Sequence, residues 1–198
     1  MWIACIDLES VLIPELWPAL GKALRIPQLM LTTRHIADKK KLNALRLKAL
    51  KENGVTVKQI EKIISKLQPL DGASEFLRWL SARMSFVIVS DCFRGLAAPL
   101  LKKLGSPAII CHDWKIKNGR VVALPLRVKG DSKAPVVRAF QKLGLKVFAV
   151  GDSLNDLGML RAANAASWFR PSSRAFEQGR DLRVSQYYAE LRKIIGKL

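Results

Sequence analysis

The apolar run at the start of MWIACIDLESVL leads straight into Asp7, and Glu9 stands two positions on. A strand that delivers two carboxylates to one point needs a cation, or something to react with, at that end. Other parts of the chain stop in the same way. FVIVSD ends at Ser90 and Asp91, and KVFAVGDS ends at Asp152 and Ser153, with Asn155 and Asp156 just beyond. Lys133 follows the polar turn GDS and opens the helical stretch APVVRAFQKL. A lysine at a helix start opposes the helix dipole, and makes sense if its ammonium is aimed at an anion. Carboxylates gathered on one edge repel one another unless a divalent cation sits among them, and hard oxygen donors of this kind suit Mg²⁺. Singly, Asp7 reads as a turn residue, Ser90 as a cap and Lys133 as a solvated lysine; their order and joint placement favour chemistry.

The elements that must position these residues are legible as patterns. WIACID, FVIVSD and KVFAVGDS read as buried strands of a parallel sheet, since short apolar runs bounded by small polar residues suit strands covered on both faces. SEFLRWLSARM places Phe76, Leu77, Leu80 and Met84 on one helical face, and GLAAPLLKKLG closes with Gly105 as a C-terminal cap. Strand and helix in alternation predict a doubly wound, Rossmann-like α/β core, whose ligands bind at the C-terminal ends of the strands. The interval from Pro14 to Asp71 shows helical periodicity only. Leu42, Leu45 and Ala49 recur at helical spacing, and Thr56 with Gln59 forms a capping-box pair ahead of Val57, Ile60, Ile63, Ile64 and Leu67. The predicted organisation is a core of residues 1–13 and 73–198, with a small helical cap, 14–72, inserted after the first strand.

The totals exclude several classes. A chain of 198 residues with 49% apolar content supports one core plus an appendage. No stretch approaches the roughly 20 apolar residues of a membrane span, and no basic region precedes the first apolar run, which points to a soluble, cytoplasmic protein. Cys5, Cys92 and Cys111 make neither a disulfide framework nor a metal motif, and Cys92 reads as a small hydrophobe. His35 and His112 have no partner pattern. The net charge of +18 hints at acidic partners, including nucleic acid, but the excess is spread along the chain. The one run, Lys39 to Lys41, reads as a solvated helix face.

The series DLESV, VSD, a lysine at a helix start and GDSLND resembles the four motifs of the haloacid dehalogenase (HAD) superfamily of phosphatases, and the helical insertion resembles the cap of its phosphoserine phosphatase branch. DLE in place of the usual DxD, TTR at Thr32 to Arg34, QPLDGASEFLRWL and SDCF resemble the bifunctional phosphoserine phosphatase and homoserine phosphotransferase group. The likeness covers nearly the whole chain. It implies that Asp7 is the nucleophile and forms an aspartyl phosphate. Mg²⁺ would be held by the Asp7 carboxylate, the Glu9 backbone carbonyl and Asp152, with Asp156 one step removed from the ion. Ser90 and Lys133 would hold phosphoryl oxygens, and Glu9 would be the general acid and base. Asp91 and Asn155 would join Ser90 and Lys133 around the substrate. Glu15 would meet a substrate ammonium and Arg46 its carboxylate, which suits an amino acid phosphate; the bland reading of that pair is a helix-start glutamate and a solvated arginine.

The implied substrate is phosphoserine or a similar amino acid phosphate, with water or homoserine as acceptor, in serine biosynthesis; a homodimer is left open. Departures from the common pattern bear on substrate preference. Glu9 stands where most relatives have aspartate, Val11 where many have threonine, and Asp91 where many phosphoserine phosphatases have glycine. Phe93 reads as pocket or core. The competing readings are a phosphatase for another phosphorylated metabolite and, disfavoured by the spread of the charge, a nucleic-acid-binding protein.

Overall fold

The computed structural model describes residues 1–198. The strands β1 (Trp2–Ile6), β2 (Ser85–Phe93) and β6 (Lys146–Gly151) are the three apolar runs, and they lie side by side at the centre of a six-stranded sheet. Its order is β3-β2-β1-β6-β7-β8, with β3 at Ile109–His112, β7 at Ala165–Phe169 and β8 at Arg183–Ser185, and every pairing is parallel. The order reverses beside β1, so the C-terminal ends of β1, β2 and β6 open onto one crevice, where such folds place ligands.

The strands are apolar throughout because both faces of the sheet are covered. Ala4 and Ile6 of β1, Ile88 of β2, and Phe148 and Val150 of β6 belong to the larger hydrophobic cluster. Their alternate neighbours Ile3, Cys5, Val87, Val89, Val147 and Ala149 belong to a second cluster on the opposite face. Each fully buried aliphatic or aromatic side chain contributes about 1.5–3 kcal/mol. Helices α4 (Ala73–Ser81), α5 (Arg94–Lys103), α6 (Ala134–Lys142), α7 (Leu157–Ala162), α8 (Ser173–Gln178) and α9 (Tyr188–Ile195) supply the covering layers. No helix is long and apolar enough to cross a membrane.

Between β1 and α4 the chain is helical. Helix α1 (Leu16–Leu24), a short 3₁₀ turn at Pro27–Met30, α2 (Lys39–Glu52) and α3 (Val57–Ile64) follow one another without a strand. Asp38 caps α2, accepting from the N–H groups of Lys40 and Lys41, and the Thr56–Gln59 capping box opens α3 as its sequence predicts. The buried face of α2 is Leu42, Asn43, Arg46, Ala49 and Leu50; Leu45 is exposed. Phe93 is core, edge-on to Trp17 at 6.4 Å between ring centroids.

Three strands of the sheet and a hairpin lie beyond the three expected runs. β4 (Lys115–Lys117) and β5 (Arg120–Ala123) pair antiparallel about Asn118 and Gly119, both at positive φ. An Asn-Gly pair is the usual signal for such a two-residue turn.

The C-terminal helix is tied to the start of the chain. Tyr188 stacks between Phe76 and Phe169, with centroids 5.0 and 4.8 Å away, and its hydroxyl donates to the Val11 carbonyl at 2.5 Å. Burial pushes the phenol up to about 12, so it stays protonated and donating. Tyr188→Phe keeps the stacking and orphans the Val11 carbonyl; urea denaturation should show a loss of about 1–2 kcal/mol, with the fold retained in circular dichroism.

Candidate active site

Asp7 continues the line of β1, donating its N–H to the Val150 carbonyl at 2.9 Å, so its side chain emerges from the sheet between β2 and β6. Lys133 reaches the same point from the N-terminal boundary of α6. Its Nζ lies 2.6 Å from Asp7 Oδ1 and 2.5 Å from Asp156 Oδ1, with all three residues buried. The adverse position of Lys133 at a helix start is met by Asp131, whose Oδ1 accepts the N–H groups of Lys133 and Ala134 at 2.8 and 3.0 Å. Burial alone would push the Lys133 ammonium down, but Asp156, Asp7 and Asp91 outweigh it and hold the group well above its ordinary value.

Asp156 is built into the turn after β6. Its Oδ2 accepts the N–H of Asp152 at 3.1 Å and both the N–H and hydroxyl of Ser153 at 2.9 Å, while Oδ1 is taken by Lys133. Asp7, Asp152 and Asp156 each offer an oxygen within 4.8 Å of the others. Burial, and next the charge of Asp156, push Asp7 well up and Asp152 up to about 7, with Lys133 pulling both back. One ammonium thus faces three carboxylates, and the donor set fits a hard divalent cation.

Glu9 is also buried among charges. Its Oε1 accepts the Leu16 N–H at 2.7 Å, supplying the α1 terminus with the acceptor that the side chain of Glu15 does not. Burial raises its carboxyl above the usual range, although that bond and Arg46 work the other way. A carboxyl raised in this way is better suited to donate and recover a proton than one at its ordinary value. Ser10, next in the chain, has φ 62°, a left-handed turn carrying a cost of about 1 kcal/mol for a residue other than glycine. Ser90 is buried at the end of the β2 apolar run; its Oγ accepts the Cys92 N–H at 3.2 Å, leaving its own proton to donate.

These groups share the wall of one cavity of ≈ 360 Å³, whose lining includes Asp7, Glu9, Ser90, Lys133 and Asp152 from the core side. Glu15 and Arg46 face it from the helices between β1 and α4, and Asp91 and Asn155 stand at its border between the two sides. Arg46 is buried rather than solvated: it stacks 4.7 Å over Trp17, donates to the Leu31 carbonyl at 2.8 Å and keeps a buried Nε–H with no partner. Burial lowers its guanidinium to about 10, with Glu9 and Glu15 opposing, so it remains charged at neutral pH. Glu15 pairs with Arg34 at 3.0 Å, and Asn155 donates to Thr33 at 3.3 Å.

A second group of residues meets here that no sequence pattern marks. Lys39 is not part of a solvated face; its Nζ lies 2.5 Å from Asp91 Oδ2. Ser132 donates to Asp91 Oδ1, and His112 Nε2 lies 3.4 Å from the same oxygen. The only sequence signal for this group is the carboxylate at position 91 itself, since a partly buried acid demands partners. Arg174, at the start of α8, also lines the cavity.

The family model for haloacid dehalogenase-like hydrolases matches residues 8–161, and the chain belongs to that family. Among curated relatives, the phosphoserine phosphatase ThrH of Pseudomonas aeruginosa is 40% identical over 194 residues, covering 98% of this chain and 94% of its own. A phosphoserine phosphatase of Pseudomonas syringae pv. tomato is 40% identical over 192 residues, covering 96% and 81%. Among solved structures, a phospho-aspartyl intermediate analogue of phosphoserine phosphatase superposes with a TM-score of 0.75 at 21% identity, covering 99% of this chain and 98% of that one.

Gly151, at the end of β6, has no room for a side chain: a Cβ there would lie 2.3 Å from Asp156 Cβ and 2.4 Å from its Cγ. Gly151→Ala should therefore displace Asp156 and loosen Lys133. The expected result is a fall in hydrolase turnover of about 100-fold, with a loss of about 1–3 kcal/mol in thermal or urea unfolding.

Proposed function

We propose that this chain is a Mg²⁺-dependent phosphoserine phosphatase that works through an aspartyl phosphate on Asp7. The observation that carries the reading is the buried contact of Asp7 with Lys133 beside Asp152 and Asp156, which offers a nucleophile, a fixed cation and a hard donor set within one cavity. The names of the two Pseudomonas relatives support the substrate. Asp7, the Glu9 carbonyl and Asp152 would hold Mg²⁺, with Asp156 acting through its bonds to the Asp152 turn and to Lys133. Bound there, the ion would supply positive charge against the oxygens of the transferring group.

In the first step a carboxylate oxygen of Asp7 attacks phosphorus, the bond from phosphorus to the serine oxygen breaks, and Glu9 gives its proton to the departing alkoxide. Lys133 and the Ser90 hydroxyl hold the remaining phosphoryl oxygens, one by charge and one by its free proton. In the second step the Glu9 carboxylate removes a proton from the incoming hydroxyl, whose oxygen attacks phosphorus and frees Asp7. Water as acceptor yields inorganic phosphate; homoserine yields phosphohomoserine. The side chain of Glu9 is one methylene longer than aspartate, and that length favours a bulkier acceptor than water. Arg46, which lines the cavity, receives the substrate carboxylate, and Glu15, whose Oε1 now meets Arg34, receives its ammonium. The helices from 14 to 72 act as the cap carrying these two residues, and Asn155 and Asp91 complete the rim. The setting that fits this activity is cytoplasmic serine biosynthesis.

Phosphate release from phosphoserine should cease on chelation with EDTA and return with Mg²⁺, and Asp7→Asn should lower kcat by at least about 10⁴-fold. Added homoserine should divert the phosphoryl group into phosphohomoserine, read by phosphorus NMR. Turnover that survives Asp7→Asn removes the mechanism, and unchanged phosphate release with no transfer product removes the acceptor role of homoserine.

A further inference from the structure

Asp91 stands outside the steps just described, yet each of its partners comes from a different part of the chain. Oδ2 meets Nζ of Lys39, the first residue of α2, at 2.5 Å, with the two side chains 18% and 24% exposed. Oδ1 accepts the Ser132 hydroxyl and lies 3.4 Å from His112 Nε2 at the end of β3. The contacts close into a ring, because His112 Nδ1 accepts the Arg127 N–H at 3.0 Å and the Arg127 guanidinium donates to the Ser132 carbonyl at 2.6 Å.

The segment from residue 124 to 133 joins β5 to α6 without helix or strand, and it ends in Lys133. Backbone with no ladder of its own takes its position from such side-chain bonds. Burial would raise the Asp91 carboxyl, but His112, Lys133 and Lys39 hold it well below the usual carboxylate range, so both oxygens accept at neutral pH. A glycine here could serve neither partner, and an asparagine could accept through one atom only.

We infer that Asp91 is a positioning residue: through Lys39 it fastens the first turn of α2 over the cavity, and through Ser132 it fixes the segment that presents Lys133. This rests on the phosphatase reading and adds to it a coupling between the cap helices and the phosphoryl-holding ammonium. The two oxygens divide the labour. Loss of the Lys39 arm frees the helix that carries Arg46 and so weakens hold on the amino acid part of the substrate. Loss of the Ser132 arm lets Lys133 move relative to phosphorus, where a shift of about 1 Å is enough to cost as much as 100-fold in rate.

The test compares Lys39→Met, Ser132→Ala, Asp91→Asn and the double variant Lys39→Met/Asp91→Asn. Steady-state kinetics are measured with phosphoserine and with p-nitrophenyl phosphate, which offers the cap neither ammonium nor carboxylate, and hydrogen exchange is followed in the free enzymes. Lys39→Met should raise KM for phosphoserine about tenfold, leave KM for p-nitrophenyl phosphate nearly unchanged, and speed exchange in the first turn of α2. Ser132→Ala should lower kcat about tenfold for both substrates and speed exchange in residues 124–132. Asp91→Asn, which loses the charge but keeps one accepting atom, should show the Lys39 effect in KM and in α2 exchange, and the double variant should have the KM of Asp91→Asn alone, because the two changes break one contact. Unchanged exchange in both segments of Asp91→Asn, or effects of Lys39→Met and Asp91→Asn on KM that multiply, overturns the inference. Exchange needs no substrate and p-nitrophenyl phosphate reports phosphoryl transfer generally. Inactivity of the unsubstituted enzyme on phosphoserine would therefore refute the substrate assignment while these two arms still decide the role of Asp91.

Discussion

A lysine ammonium buried between two carboxylates is the constraint to which the rest of the molecule answers. Removing such ions from water costs several kcal/mol each, and only close, well-aligned partners offset it. Asp7, Lys133 and Asp156 are drawn from the end of β1, the start of α6 and the turn after β6, with Lys133 lying 126 positions along the chain from Asp7. Their arrangement holds only if β1 and β6 are neighbours in register, and the ladder from Trp2–Lys146 to Ile6–Val150 provides that. With one ammonium set against three buried carboxyl groups, the donor set fits a hard divalent cation.

The supporting structure can be understood as the means of keeping that cluster dry and fixed. Two hydrophobic layers clamp the sheet, and the polar groups of the site emerge where β1, β2 and β6 leave them at their C-terminal ends. Gly151 makes space for Asp156, Tyr188 pins the backbone just past Glu9, and Glu9 itself caps α1, so the Glu9 carboxyl and the first helix above the cavity are set by one bond. Catalysis of phosphoryl transfer depends largely on such preorganised charge, since the protein has little covalent work to do.

Sequence alone made much of this visible, for physical reasons that also explain what stayed hidden. β1, β2 and β6 announce themselves because each is covered on both faces and then stops abruptly at polar residues. β7, AASWF, and the three-residue β8 lack that contrast, and β3 is short, its one site residue, His112, having no partner pattern in the sequence. The hairpin about Asn118-Gly119 did carry a readable turn signal. The acids and Ser90 were legible because their chemistry recurs in order at strand ends, and Lys133 because it opens a helix against the dipole. Lys39 was not, because its partner lies 52 residues away across the cavity, and a three-lysine run has no pattern distinguishing the one that turns inward. The same holds for Ser132 and His112, whose roles exist only once β2, β3 and the 124–133 segment are folded together.

On the proposed function, the charge cluster exists to let Asp7 carry the phosphoryl group. The most direct measurement is to mix enzyme, Mg²⁺ and phosphoserine labelled in its phosphate, quench in acid within milliseconds, and map the label by peptide digestion. The account predicts label on the peptide containing Asp7, released by hydroxylamine as an acyl phosphate should be. Label on Ser90 or any other residue, or steady turnover with no labelled peptide at any quench time, contradicts it.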